Sequence, residues 1–394
     1  MLLSFAIILL SGLFAGAICK KIHFPSLFGM IIAGILIGPY VGNLIDVSVL
    51  DMSSSLRRIA LIVILIRAGL KLNIEDLKKV GRPALMMCFV PSTVEMLGMI
   101  LLAPRLLGLS LLDSAILGAV IAAVSPAVVV PRMIKLIDKG YGVGESVPQL
   151  ILAGASVDDV YVIVVFTAFT SLATGQSVSV MSFVNIPLSI ITGIAFGMLS
   201  GTLLIRFYDH MSMRLTVEMI IMMGISFCLS TFENAFPMIP FASLIAIMCL
   251  GVAIKRGNDE HAKRLSSGFD EVWVVAELFL FVLVGASVAI DSLYTMGLGA
   301  IVLLCGVVIF RMIGVALCML GTPLNNKERL FCMIAYTPKA TVQAAIGGLP
   351  LAMGLSCGQT VLTVSVIAIL LTAPLGAFGI DLTYKRFLQR SEPA

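Results

Sequence analysis

The sequence predicts an all-α polytopic membrane protein of about 13 transmembrane helices, arranged as two inverted halves. Three observations predict it. Of 394 residues, 59% are hydrophobic and 12% charged, with a mean hydropathy of +1.10, whereas soluble domains run at roughly 45–50% apolar and about 25% charged. Apolar runs long enough to cross a bilayer follow one another along the chain, and Lys and Arg alternate between the connections. A soluble globular enzyme is excluded. Thirteen spans of about 20 residues would use roughly 260, leaving connections of around 10 residues and no room for an extramembrane domain.

The first run, MLLSFAIILLSGLFAGAICKK, has no basic residue before it and Lys20 and Lys21 after it, the reverse of a secretory signal, so it reads as the first span. Further runs, separated by charged or Gly/Pro breaks, fall near 26–43, 57–72, 83–105, 111–137, 147–170, 179–206, 214–232, 239–255, 269–290, 296–320, 328–350 and 358–381. The positive-inside rule tests this division, because a missed or invented span would scramble the alternation of basic residues. One side collects 20 of the 26: Lys20, Lys21, Lys71, Lys78, Lys79, Arg82, Arg132, Lys135, Lys139, Arg206, Arg214, Lys255, Arg256, Lys263, Arg264, Lys327, Arg329, Lys385, Arg386 and Arg390. The other side has Arg57, Arg58 and Arg105, and three lie within spans: Arg67, Arg311 and Lys339. The N-terminus is therefore expected outside and the C-terminus in the cytoplasm.

The net charge of +4 and pI near 8.6 do not imply a nucleic-acid partner, since the basic residues are scattered without a basic face or interleaved aromatics. The eight cysteines fall in apolar runs without a CxxC, so they read as small core residues and not as disulfides or a zinc site. His23, His210 and His261 read as solvated residues of connections.

Spans five and twelve carry similar interruptions, Ser125-Pro126 and Thr337-Pro338. Seven spans apart, they run in opposite directions, the pattern of discontinuous helices at a transporter's binding site. Five ionisable residues lie near the same depth: Glu95, Asp158, Asp159, Arg311 and Lys339. Each costs at least about 2.5–3.5 kcal/mol at the bilayer centre unless paired or facing water. Their sum leaves one carboxylate uncompensated, and a cation or a proton neutralises it equally well. That competition is the physical core of an antiporter. Asp158 and Asp159 point about 100° apart on a helix, so one can face a partner helix and the other a cavity. An intramembrane aspartyl protease needs carboxylates that meet from different helices, which disfavours that reading. A small cation wants several oxygens, which Asp159 or Asp158, Ser156 and the opened backbone beside Ser125-Pro126 could provide. Of the two basic residues, lysine is the one able to change its protonation.

With ASVDDV at 155–160, SPAVVVP at 125–131 and TPKATVQAAIGG at 337–348, the chain resembles monovalent cation/proton antiporters of the NHA type along nearly its whole length. The resemblance implies two crossed discontinuous helices, spans five and twelve, in a core domain that moves against a dimerisation domain. It places core helices near 57–170 and 269–381, dimerisation helices near 1–43 and 214–255, and a linker helix at 179–206. It also implies Asp159 as principal cation and proton carrier, Asp158 as its partner, and Arg311, Lys339 and Glu95 as further charged positions, with Ser125 and Ser156 beside the ion. The Asp-Asp form implies electrogenic exchange, which the charge count alone does not require. Unlike glutathione-gated potassium-efflux relatives, these 394 residues hold no nucleotide-binding domain.

Smaller features receive plainer readings. Arg67 is expected to snorkel to the headgroups. Glu218 reads as a helix-start charge, and Glu277 as an inner-leaflet pairing or packing residue ahead of a pH-sensing one. Gly12 and Gly16 form a GxxxG that serves either a dimer contact or ordinary packing. The 22 methionines read as lipid-facing or core filler. The expected function is exchange of Na⁺ or Li⁺, in preference to K⁺, for H⁺ by alternating access. The alternative is a sodium-coupled organic-anion symporter on a related fold. No enzymatic activity, cofactor or nucleotide is expected; a homodimer in the cell inner membrane is.

Overall fold

The computed structural model describes residues 1–22, 24–71, 81–174, 180–211, 213–236 and 239–390. Of the residues discussed above, His23, Lys78 and Lys79 lie outside the described residues. Helices and no strand occur among those described. In chain order they are α1 Leu2–Lys21, α2 Ser26–Ile37, α3 Val47–Asp51, α4 Ser53–Lys71, α5 Arg82–Met87, α6 Val90–Leu107, α7 Leu111–Ile121, α8 Pro126–Asp138 and α9 Val147–Ala173. There follow α10 Val180–His210, α11 Leu215–Ala235, α12 Ser243–Gly257, α13 Asp259–Ala286, α14 Ile290–Cys318, α15 Asn326–Ala335, α16 Thr341–Ile346, α17 Leu349–Ala352 and α18 Gly358–Phe387.

Local chemistry sets several boundaries. Ser110 caps α7 by accepting from Asp113 N (3.1 Å). Asn325 accepts from Glu328 N (3.0 Å) while the Glu328 side chain accepts from Asn325 N (2.9 Å), a reciprocal capping box that starts α15. Gly108, at φ +66°, ends α6 in the left-handed conformation. Pro126 opens α8 at a position where its missing N–H costs nothing.

Eight helical stretches among the described residues are long and apolar enough to cross a membrane, and each falls on a run expected from the sequence. Other runs depart from continuous spans. The run near 26–43 is helical only to Ile37, because Gly38 turns extended ahead of Pro39. The run near 328–350 is divided among α15, α16 and α17. The run near 269–290 falls on α13 only to Ala286, and that helix begins ten residues earlier in polar sequence at Asp259. The cysteines divide too: Cys228 and Cys305 are exposed and the other six buried, so the core reading fails for those two, which sit on outward faces of α11 and α14.

The chain forms two compact units. One comprises 1–54, 73–162 and 280–394, the other 55–72 and 163–279. This partition describes packing in one conformation, whereas core and dimerisation helices are defined by relative motion. In the first unit α1 lies on α2, with Gly16 against Ser26 and Met30, so this half of the GxxxG serves packing within the chain. A buried core of Met87, Val129, Met133, Ile151, Phe331 and Tyr336 joins α5, α8, α9 and α15. In the second unit Gly193, Gly197 and Gly201 recur every fourth residue along α10 and let its backbone approach α12. A Cβ at these positions would lie 2.6, 2.3 and 2.4 Å from the carbonyl oxygens of Ala242, Ala246 and Leu250.

That close approach yields a test. Gly197→Leu, whose Cβ meets backbone and not a flexible side chain, is expected to lower the melting temperature of the detergent-solubilised protein, as overpacking typically costs about 1–3 kcal/mol. Gly224→Leu, with nothing within 4 Å of its Cβ, is expected to leave it unchanged.

Candidate functional site

The first unit encloses the five charged residues. Between α7 and α8 the helix opens at Ala122–Ser125, and between α15 and α16 it opens at Tyr336–Ala340. The two openings touch through main chain: Ser125 N donates to Pro338 O at 2.8 Å. The sequence expectation of two Ser/Thr-Pro interruptions thus corresponds to one meeting point.

Arg311, about two turns before the end of α14, is fully buried and fills that point. Its Nε donates to Tyr336 O (2.5 Å), Nη1 to Glu95 Oε2 (2.8 Å), Ser92 Oγ (3.3 Å) and Ala122 O, and Nη2 to Asp158 Oδ2 (3.0 Å). The guanidinium also lies 4.9 Å from the centre of the Tyr336 ring, whose hydroxyl donates to Met87 O (3.1 Å). A planar fork with five N–H donors suits this task, and a lysine could not reproduce it. Lys339 Nζ donates to Glu95 Oε2 at 2.6 Å, so Glu95 is held by both cations. Asp158 is engaged on both oxygens: Oδ1 by the Ser92 hydroxyl, Oδ2 by Arg311 and by Val124 N at 2.8 Å.

The pairing resolves the charge count. Two cations meet Glu95 and Asp158, and Asp159 makes no ion pair among the described residues. Its Oδ1 is buried without a hydrogen-bond partner, although the residue as a whole is only half-buried. The hydroxyls of Ser125 and Thr341, one at each opening, are buried and unpartnered as well. The side chain of Ser156 lies outside the described set.

The expectation of ligands from the opened backbone beside Ser125-Pro126 is narrowed. The carbonyls at the end of α7 are not free for an ion: Val120 O, Ile121 O and Ala123 O accept from Gln343 Nε2 at 3.2, 3.0 and 2.9 Å. Ala122 O accepts from Arg311 and lies 3.1 Å from Ser92 Oγ. Ser92 and Gln343 were not singled out in the sequence. A buried serine one turn before Glu95, and a glutamine inside an apolar run after Thr337-Pro338, are the signals that could have marked them.

The second unit corrects the readings of Arg67 and His261 and adds partners to Glu218, whose helix-start position holds. Arg67 does not reach outward unpaired: its Nη2 lies 2.5 Å from Asp270 Oδ1, with its guanidinium 5.1 Å from the Trp273 ring. Asp270 also accepts from Lys71 (2.7 Å). Glu218, in the first turn of α11, is buried and within 3.0 Å of His261 Nε2 and 3.4 Å of Arg264 Nη2. His261 is therefore not a free solvated side chain; it lies in α13 with its ring stacked 5.5 Å from that of Tyr208.

Broken helices that meet around buried charges in an all-α membrane protein define the class: an integral membrane transporter with the antiporter fold. The solved sodium proton antiporter MjNhaP1 of Methanocaldococcus jannaschii has that fold, matching 97% of each chain with a TM-score of 0.83 at 19% identity. Residues 5–385 match the family described as sodium/hydrogen exchanger, transmembrane. Sodium/hydrogen exchanger 9B2 of Homo sapiens is 34% identical over 380 residues, covering 93% of this chain and 70% of that protein. Human sodium/hydrogen exchanger 9B1 is 30% identical over 410 residues, covering 98% and 78%. The chain belongs to the sodium/hydrogen exchanger family.

Removing one partner of a buried ion pair typically costs about 3–5 kcal/mol. Arg311→Leu is expected to destabilise the folded protein on that scale, and Arg311→Lys by less. Adding Asp158→Leu to Arg311→Leu is expected to recover part of the loss, because the carboxylate that Arg311→Leu orphans is then gone and Glu95 keeps Lys339; melting curves of the three variants check the order.

Proposed function

We propose that this protein exchanges Na⁺ for H⁺ across a membrane by alternating access, with Asp159 carrying both. The observation behind this is the inequality of the three carboxylates: Glu95 and Asp158 are held by buried cations, and Asp159 is not. A carboxylate in a low-dielectric site without a counter-ion is stable as the neutral acid or as a cation complex. Binding of one expels the other, which couples the two fluxes. Family membership supports the same substrates, and an organic-anion symporter gains no support from it.

In this reading Asp158 positions and Asp159 carries. Ser92, Val124 N and Arg311 fix Asp158 on both oxygens, so it orients the first opening and the guanidinium and does not itself surround the ion. Hard monovalent cations are held by oxygens, and Ser125 Oγ and Thr341 Oγ1 are the unpartnered hydroxyls placed at the openings. Ser156 is a further ligand in the proposal. Lys339, bound through Nζ to Glu95 alone among the charged groups, is the basic residue able to surrender a proton, which is what an electrogenic cycle would require of a second site. Li⁺ is a second cation of the proposal and K⁺ a poorer one. We further propose a homodimer in the cell inner membrane, with the N-terminus outside and the C-terminus cytoplasmic as the distribution of basic residues requires. Core helices near 57–170 and 269–381 would move against dimerisation helices near 1–43 and 214–255, joined by the helix at 179–206.

The test is reconstitution into liposomes with an imposed pH gradient, adding Na⁺, Li⁺ and K⁺ in turn. Wild type is expected to collapse the gradient with Na⁺. Asp159→Asn, which keeps the shape and removes the charge, is expected to lose at least about a hundred-fold in rate with little change in melting temperature, a loss of about 2.7 kcal/mol in coupling. Full cation-driven proton movement in Asp159→Asn would falsify the assignment.

A further inference from the structure

We propose that Gln343 is a positioning residue for exchange: its amide fastens the end of α7 to the second opening and keeps the carbonyls there away from the transported ion. The proposal rests on the antiport reading above and adds a residue with no charge and no place in the proton and cation chemistry.

The end of a helix leaves four carbonyls without intrahelical donors. At and just beyond the end of α7 the carbonyls of residues 120–123 all find side-chain donors brought from elsewhere. Gln343, the third residue of α16, serves Val120, Ile121 and Ala123, and Arg311 serves Ala122. An amide NH₂ has two hydrogens, so three carbonyls converge on one shared donor group. Gln343 is 1% exposed, and its Oε1 has no hydrogen-bond partner. The side chain is therefore held through its donor end, which is the end an apolar packing residue would lack.

Two consequences follow for the ion. The strand of main chain that Gln343 anchors also presents Val124 N to Asp158 (2.8 Å) and Ser125 N to Pro338 O (2.8 Å), so the register of both openings depends on it. Main-chain carbonyls are good ligands for hard cations; released, those of Val120, Ile121 and Ala123 would compete with Asp159 and hold the ion back. The charged groups on the surrounding elements are Glu95 on α6, Asp158 and Asp159 on α9, Arg311 on α14 and Lys339 ahead of α16, and none of them hydrogen-bonds Gln343.

The experiment compares wild type, Gln343→Leu and Gln343→Glu in liposomes from about pH 6 to about pH 9, with melting temperatures measured in parallel. Gln343→Leu is expected to lose about ten-fold in maximal rate at every pH, since buried carbonyls stay unpaired. Gln343→Glu donates an O–H only as the neutral acid, so its rate and its melting temperature, each relative to wild type, are expected to fall as pH rises. Ionisation of any buried carboxyl costs stability, so the slope alone does not separate a donor from packing; the donor is diagnosed by Gln343→Glu matching wild type at the low end of the pH range, where Gln343→Leu does not. A wild-type rate in Gln343→Leu overturns the proposal, as does a loss at low pH in Gln343→Glu equal to that in Gln343→Leu. If Gln343→Leu does not fold, Gln343→Met, which also lacks the donor, takes its place. If wild type itself moves no cation, the antiport reading fails, and the melting temperatures of the donor-less variant and of Gln343→Glu at low pH still decide whether Gln343 holds the opening through its donor.

Discussion

The arrangement depends on a single buried guanidinium. Arg311 reaches two carboxylates, a serine hydroxyl and two main-chain carbonyls, and so ties α6, α9 and α14 to the openings that follow α7 and α15. Taking such a charge out of water is costly, and only good geometry with every donor satisfied offsets it. Here each of the three guanidinium nitrogens has an acceptor. The carbonyls Arg311 uses exist because two helices are interrupted, so the helix breaks and the buried cation each supply what the other needs.

The same geometry separates two neighbouring residues with identical side chains. Asp158 faces Ser92, Val124 N and Arg311; Asp159, one residue on, has turned about 100° away and meets none of them. Adjacent carboxylates thus have different surroundings, one held by the scaffold and the other without an ion pair among the described residues; in the proposed exchange the second is the one neutralised by the transported ion. Lys339 completes the division by binding Glu95, which lets Arg311 divide its charge between Glu95 and Asp158 without drawing in Asp159. In the proposed cycle a rigid surround matters because the site has to keep its shape while its occupant changes.

Much of the fold was legible from composition and charge. A bilayer demands long apolar helices and sorts Lys and Arg to one side, so eight apolar helical stretches fall where hydropathy placed them. Legibility failed where a helix ends inside an apolar run. Ile37 stops α2, and the run near 328–350 divides into three helices, because Gly and Pro interrupt the hydrogen-bond ladder without altering hydropathy. It failed again where a polar side chain has a partner distant in sequence: His261 with Glu218, and Arg67 with Asp270, read as solvated or snorkelling residues until the helices that carry their partners are in place.

The sequence by itself determined that the protein crosses a membrane many times, that two interruptions and five charges share a depth, and that these charges sum to one carboxylate too many. Each is a property of residue type and spacing along one chain. Which carboxylate is left over, which carbonyls are free, and which uncharged side chains hold the openings were decided by tertiary structure alone. The contacts that settle them join residues as far apart as Glu95 and Lys339, or Gln343 and Val120. A hydrogen bond depends on distances of about 3 Å and on direction, and neither is encoded in spacing along the chain until the helices have packed.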